Sequence, residues 1–173
     1  MPLEKEFATF ITPDQQLSDE QSKLFRNGLG KWATGVAIVA MRDDQGHRYG
    51  LTINSFASLS LNPPLVLWSL DKQAESVSAF EQKRPFNVSI LSDHQQDLAL
   101  KFASQEERFL DTPCLEGKNG APIIMGASAF FECDFHKAID GGDHILFIGK
   151  VTHHGVNEKN PLLFHNGMFK TIG

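Results

Sequence analysis

The residues of this 173-residue chain whose types could do chemistry are seven histidines, two cysteines and a run of serines, threonine and asparagine between Gly50 and Leu67. Metal chemistry would need ligands at a shared spacing. The zincin pattern is absent, and the adjacent pair His153-His154 would point to opposite faces of a strand, so the spacing argues against a metal site. Serine hydrolysis needs a nucleophile elbow, and Gly126-Ala127-Ser128-Ala129-Phe130 lacks its second glycine. A phosphate-cradling Walker loop is also missing, because Gly117-Lys118 is followed by Asn119. Gly28-Leu29-Gly30-Lys31-Trp32-Ala33 has the glycine spacing of a dinucleotide-binding turn, but a capped helix precedes it where that turn requires a strand.

Two features survive. His144 follows Gly141-Gly142-Asp143 at the mouth of a strand, where the backbone can bend closely around a ligand, and an imidazole with an unperturbed pKa near 6.5 suits hydrogen bonding or proton handling. A solvated turn whose glycines only supply positive φ reads the same way. The second is the Gly50 stretch, which alternates so that Thr52, Asn54, Phe56, Ser58 and Ser60 share one strand face and Ile53, Ala57, Leu59 and Leu61 the other. A face rich in hydroxyls and amides suits a ligand, and a half-solvated edge strand gives the same pattern.

The elements that must position these residues follow from periodicity and punctuation. Residues 1–17 read as an amino-terminal arm of uncertain order. Ser18 with Gln21 has the form of a capping box, and Leu24 or Phe25, Leu29 and Trp32 recur at helical spacing, predicting a helix to about Ala33. Gly35 to Met41 and the Gly50 stretch form a hairpin around Asp43-Asp44-Gln45-Gly46. After Pro63-Pro64 come a buried strand from Leu65 to Leu70, a short helix over Glu75 to Gln82 and a strand from Phe86 to Leu91. Asp93 can cap a helix to about Ser104 that buries Leu98, Leu100 and Phe102. Gln105 to Gly120 reads as a long loop of the kind that lies over a site. Ala127 to Ala138, Ile145 to His153 and a last hairpin around His165-Asn166-Gly167 complete about six strands. The expected architecture is a single domain over 1–173, mainly β with inserted helices, forming a closed or nearly closed barrel.

Composition narrows the function classes. Sixteen Lys and Arg against 21 Asp and Glu give a net charge of -5 without long single-sign runs, so no footprint for nucleic acid or an anionic membrane is expected. Cys114 and Cys133 are too few for a disulfide framework and read as free thiols. With no apolar signal region and no run approaching about 18 apolar residues, the sequence reads as a soluble cytoplasmic protein.

Taken in order, Gly35-Val36-Ala37-Ile38-Val39, Gly50-Leu51-Thr52-Ile53-Asn54-Ser55-Phe56, Ser58 to Val66 with its Pro63-Pro64, Phe86 to Leu91 and Gly142-Asp143-His144 resemble the flavin reductase-like family. That family includes the reductase components of two-component flavin monooxygenases. The resemblance covers roughly Leu24 to Phe169. It implies a split β-barrel of FMN-binding type, a homodimer, FMN or FAD as flavin, NADH or NADPH as hydride donor, and a possible monooxygenase partner. It also implies that Gly50, Thr52, Asn54 and Ser55 line the flavin, and that Ser69, Leu70, Asp71, Lys72 and Ser76 surround the ribityl phosphate. Lys101 and Phe102 would close that side, and His144 would stand beside the nicotinamide. The chain departs from the family pattern at Gln73-Ala74, where a serine or threonine pair is common, and at Phe169, where tyrosine is common.

A flavin enzyme needs no protein nucleophile, because the cofactor carries the redox chemistry and the protein supplies binding and orientation. An electron carrier of the same fold that holds its flavin permanently, or a non-enzymatic barrel module, remain alternatives. If both Asn54 and Ser55 touch flavin, the strand must bend or end near Asn54, leaving Ser55 to Leu61 as a loop around the cofactor.

Overall fold

The computed structural model describes residues 16–104 and 107–172, so the expected amino-terminal arm falls almost wholly outside them. The first element, α1 (Asp19–Leu29), starts at a true capping box: Ser18 Oγ accepts from the Gln21 amide at 3.3 Å, and Gln21 Oε1 accepts from the Ser18 amide at 3.0 Å. It ends at Leu29 rather than Ala33, since Gly28 and Gly30 weaken the helix there. None of its residues is buried, and Trp32 beyond its end is 78% exposed.

There follow β1 (Thr34–Gly35), β2 (Ala37–Arg42), β3 (Arg48–Ile53), β4 (Ala57–Leu61) and β5 (Pro64–Asp71). Next come α2 (Val77–Phe80), β6 (Phe86–Ile90), α3 (Gln96–Ser104) and a small hairpin of β7 (Cys114–Glu116) and β8 (Pro122–Ile124). Two long strands, β9 (Ala129–Gly141) and β10 (His144–Val156), precede the closing hairpin of β11 (Leu163–His165) and β12 (Met168–Lys170). The fold is mainly β with a few helices.

Seven strands form one antiparallel sheet in the order β3-β2-β6-β9-β10-β5-β4. Its edge strands, β3 and β4, are consecutive in the chain and joined only by Asn54, Ser55 and Phe56, so the sheet must curl until its edges meet at that link. There Ser55 Oγ accepts from the Ser69 amide at 3.1 Å and lies 3.3 Å from the Ser69 carbonyl, tying the link to β5. Among the described residues no ladder pairs β3 with β4.

Curling gives the sheet an inside and an outside, and both are packed. Inside, Trp68 stacks on Phe147 at 4.8 Å and meets Phe80 and Phe86 edge-on, with Val39, Met41, Leu70 and Val88 around them. Outside, Ile38, Ala40, Leu91, Ala99, Phe102, Ile124 and Leu162 fill the space between β2, α3 and β8. The continuous apolar run in β2 is explained by this: alternate residues face the two clusters, and all but Arg42 are buried.

Several expected boundaries are corrected. The strand from Gly50 does end at Ile53, but Ala57–Leu61 is strand β4 rather than a cofactor-wrapping loop. It pairs with β5 through a bulge between Ser58 and Ser60, and the chain reverses at the cis Asn62-Pro63 bond. α2 occupies only Val77–Phe80, and α3 begins at Gln96, three residues after Asp93. α3 buries Ala99 and Phe102 and leaves Leu100 48% exposed, because its inward stripe follows the spacing of those two residues. The β7 and β8 hairpin interrupts the expected long loop.

Candidate active site

β3 has an edge position, and α3 lies against it: the Thr52 hydroxyl donates to the Ala99 carbonyl at 2.7 Å. This fixes the helix so that Phe102 reaches beneath Gly50. A Cβ on Gly50 would stand 2.9 Å from both the Phe102 and Phe109 rings and 3.2 Å from the Val39 carbonyl, so only glycine fits without displacement. Phe109 meets Phe102 edge-on at 5.0 Å, and the Arg48 guanidinium lies 4.9 Å above the Phe109 ring. Arg108 donates to the Gly50 carbonyl at 2.9 Å.

The result is a cavity of about 180 Å³ lined by Arg48, Tyr49, Gly50, Glu75, Ser76, Arg108 and Phe109. Ser76 is 4% exposed, and its side chain makes no capping bond to α2. Two residues further along β3, Thr52, Ile53 and Asn54 line a second cavity of about 210 Å³ with Val36, Ala103, Phe164 and Phe169. Phe164 and Phe169 pack edge-on at 5.5 Å and give it an aromatic wall. Two larger clefts, about 560 and 570 Å³, are lined by none of the expected site residues.

His144 lines neither β3 cavity. It opens β10 after the two-residue turn Gly142-Asp143, in which Gly142 takes φ +83°, as the first position of a type II′ hairpin turn requires. Its Nδ1 lies 2.7 Å from Asp143 Oδ1. A carboxylate there accepts the Nδ1 proton of neutral imidazole and leaves Nε2 as the free acceptor. That bond, with the charge of a protonated ring, holds the Asp143 carboxyl below its usual range.

Lys72 crosses to this turn from the end of β5. Its ammonium donates to Asp140 Oδ2 and to the Gly142 carbonyl, both at 2.6 Å, and its amide donates to the Asp143 carbonyl at 3.0 Å. The ammonium bond, then the Gly142 amide, lowers the Asp140 carboxyl as well. Asp71 is opposite His144 in the ladder and caps its own turn by accepting from the Gln73 amide at 2.8 Å.

The expected residues therefore fall into separate groups. Gly50 and Ser76 share one cavity, Thr52 and Asn54 the next, and Ser55 and Ser69 form the link between sheet edges. Asp71, Lys72 and His144 gather at the β9 and β10 turn. Leu70 is 1% exposed with its side chain in the inner core, so only its backbone can face a ligand. Lys101 serves the loop after α3, bonding the Leu110 carbonyl and Thr112 Oγ1, while Phe102 is fully buried.

Arg48, Arg108, Phe109 and Phe164 were not anticipated. The polar, glycine-punctuated loop after α3 carried a signal for Arg108 and Phe109, because a long loop in a small domain often covers a site. Among the described residues, no three of His, Cys, Asp and Glu converge as a metal site would need, and no helix is long and apolar enough to cross a membrane.

The flavin reductase like domain matches residues 29–173. FMN reductase (NADH) SmoA of Agrobacterium fabrum is 39% identical over 150 residues, 87% of this chain and 86% of its own. The flavin-dependent monooxygenase reductase subunit HsaB of Rhodococcus jostii is 37% identical over 166 residues, 94% of this chain and 85% of its own. Among solved structures, the Streptomyces globisporus NADH:FAD oxidoreductase SgcE6, in complex with NAD and FAD fragments, superposes with a TM-score of 0.84 at 32% identity. That superposition covers 92% of this chain and 97% of the other. A match over residues 29–173, joined to relatives of this identity and coverage, makes the chain a member of the flavin reductase like domain family.

Proposed function

We infer that the protein is a flavin reductase that moves a hydride from a reduced nicotinamide, NADH in SmoA and SgcE6, to FMN or FAD. The observation that carries this reading is the division of labour along β3. Asn54 and Thr52 border a cavity walled by Phe164 and Phe169, and Gly50 borders one holding Arg48 and Arg108. These residues fit a flavin: the aromatic wall suits a flat ring system, Asn54 offers an amide to its polar edge, and the arginines with the buried Ser76 hydroxyl suit a phosphate. Bound flavin supplies the hydride acceptor, and the chain supplies position.

Each residue then has a stated task. Arg48 and Arg108 offset phosphate charge locally in a chain of net charge -5. The apolar lining from Val36, Ala103 and the two phenylalanines keeps water from the ring edge. His144 presents Nε2 as an acceptor, which suits a nicotinamide carboxamide N–H and orients the donor without transferring a proton. Lys101 holds the loop that carries Arg108, since Thr112 Oγ1 both accepts from Lys101 and donates to the Arg108 carbonyl.

The curled sheet with its linked edges supports a split β-barrel, and the exposed apolar residues of α1 and β4 support a homodimer that covers them. Leu24, Phe25 and Leu29 of α1 and Leu59 and Leu61 of β4 are all at least 39% exposed. The monooxygenase reductase subunit among the relatives supports a partner oxygenase that takes up the reduced flavin. Steady-state NADH oxidation with added FMN or FAD tests the reading. The expected result is turnover that depends on flavin, reduced about tenfold or more in kcat/KM by His144→Ala. Purified yellow protein that oxidises neither nicotinamide would overturn it.

A further inference from the structure

We propose that Lys72, with Asp140, is a positioning residue for His144 rather than a flavin phosphate ligand; this rests on the nicotinamide role of His144 inferred above. Family resemblance assigns Lys72 to the phosphate region. The geometry gives it different work. Three bonds leave this one residue, and they reach Asp140, Gly142 and Asp143, the polar groups of the turn that delivers His144. Asp143 in turn holds His144 Nδ1. The chain of contact from β5 to the imidazole is therefore continuous.

The turn needs such a fastening. A two-residue hairpin turn at the end of two long strands is held by its own ladder only as far as the His144 and Gly141 pair, and everything beyond that pair is exposed. The β5 ladder likewise stops at Asp71 opposite His144. Lys72 extends it by one amide bond and adds a charged clamp over the top. The Asp140 side chain completes the arrangement, accepting from both the Lys72 ammonium and the Gly142 amide, the latter at 3.2 Å. Exposed ion pairs contribute little to stability, so the effect of removing this one is a change in where the turn sits. A lysine with its ammonium between a carboxylate and a carbonyl is also poorly placed to serve a phosphate. The cations beside Gly50 and Ser76 are Arg48 and Arg108.

The test separates nicotinamide from flavin. In Lys72→Met and Asp140→Asn, measured on the full chain, KM for NADH is expected to rise about tenfold. The flavin Kd from fluorescence titration and the melting temperature should stay unchanged. The double variant should be no worse than either single one, as expected of two residues acting through one contact. A weaker flavin Kd with unchanged KM for NADH in Lys72→Met would overturn the proposal and return Lys72 to the phosphate. Unchanged values for both would also overturn it. His144→Ala run alongside distinguishes the two levels: if it leaves nicotinamide kinetics unchanged, the role of His144 itself is wrong. If it raises KM while Lys72→Met does not, only the positioning role fails.

Discussion

Arg108 donates from Nη1 to the carbonyl oxygen of Gly50 at 2.9 Å, across 58 positions of sequence. The bond fastens the loop after α3 onto β3 at the wall of the smaller cavity, with Phe109 packed beside it on Phe102. Arg108→Leu removes a charged donor at this point, and hydrogen bonds of that kind contribute about 1.5–3 kcal/mol. Flavin affinity in fluorescence titration should fall on the order of tenfold, while KM for NADH at saturating flavin stays within about twofold of the parent. A flavin Kd that does not move would take Arg108 out of the site.

Gly50 is fixed by space rather than by conformation, since its φ is ordinary and the obstacles are two phenylalanine rings and a backbone carbonyl. Gly50→Ala should destabilise the protein by about 1–3 kcal/mol, because neither ring can withdraw without opening the packing beneath α3. Denaturant unfolding measures this. It should also loosen flavin binding by displacing Phe109 and the adjacent Arg108. An alanine variant of parental stability would mean that the two rings swing clear.

How much of this was legible in the sequence depended on the range of the interaction involved. The turn before His144 was readable because Gly141-Gly142-Asp143 sets its backbone locally. The end of β3 near Asn54 was readable from the expectation that Asn54 and Ser55 both touch one ligand, which neighbours in a regular strand cannot do. Ala57–Leu61 was misassigned because the expected ligand contacts were allowed to outweigh its strand-like pattern, and it pairs with β5 through a bulge between Ser58 and Ser60. Arg48 and the clamp by Lys72 were not readable at all, and Arg108 only as part of a loop of the kind that covers a site. Each depends on strands or loops that are distant in sequence and meet only through the order of the sheet. The apolar spacing in α1 pointed to a buried face, yet its residues stay exposed in the single chain.

Acid should release the turn by a known route. Asp140 and Asp143 have folded pKa values held below the ordinary carboxylate value of about 3.9, by Lys72 and by His144 respectively. A depressed folded pKa contributes stability that is fully present above the unfolded value and is lost as pH falls through the folded value. The difference in KM for NADH between the parent and Asp140→Asn should therefore be constant from about pH 5 to 8 and begin to shrink only below about pH 4. A difference that already disappears at pH 6 would show that the Asp140 carboxylate is not its source.

The exposed leucines of β4 predict how two chains meet. Leu61 is 93% exposed on an edge strand, and Val156 at the end of β10 is 82% exposed, a combination that a solitary soluble chain seldom presents. In sedimentation velocity the parent should behave as a dimer, and Leu61→Glu should shift it toward the monomer at micromolar concentration. A parent that sediments as a monomer would remove the homodimer from the proposed function.

The inner core contains a built-in reporter of its own opening. Cys133 is fully buried on β9 beside Phe86, and its thiol is pushed up to about 12, first by burial and then by the neighbouring charges of Asp134 and Glu132. The thiolate is the reactive form, so in the folded protein at pH 8 Cys133 has neither access to a reagent nor a useful fraction of thiolate. Cys114 is partly buried on the outer cluster and is also raised by burial, so it should label slowly and independently of the core. In denaturant, labelling of Cys133 followed by mass spectrometry should track global unfolding and share its midpoint. Gly149→Ala, whose Cβ would come within 2.8 Å of the Cys133 Cβ and 2.6 Å of the Phe86 ring, should move that midpoint down and accelerate Cys133 labelling without changing that of Cys114. Rapid stoichiometric modification of Cys133 in the native parent would show that the inside of the curled sheet opens far more readily than its packing implies.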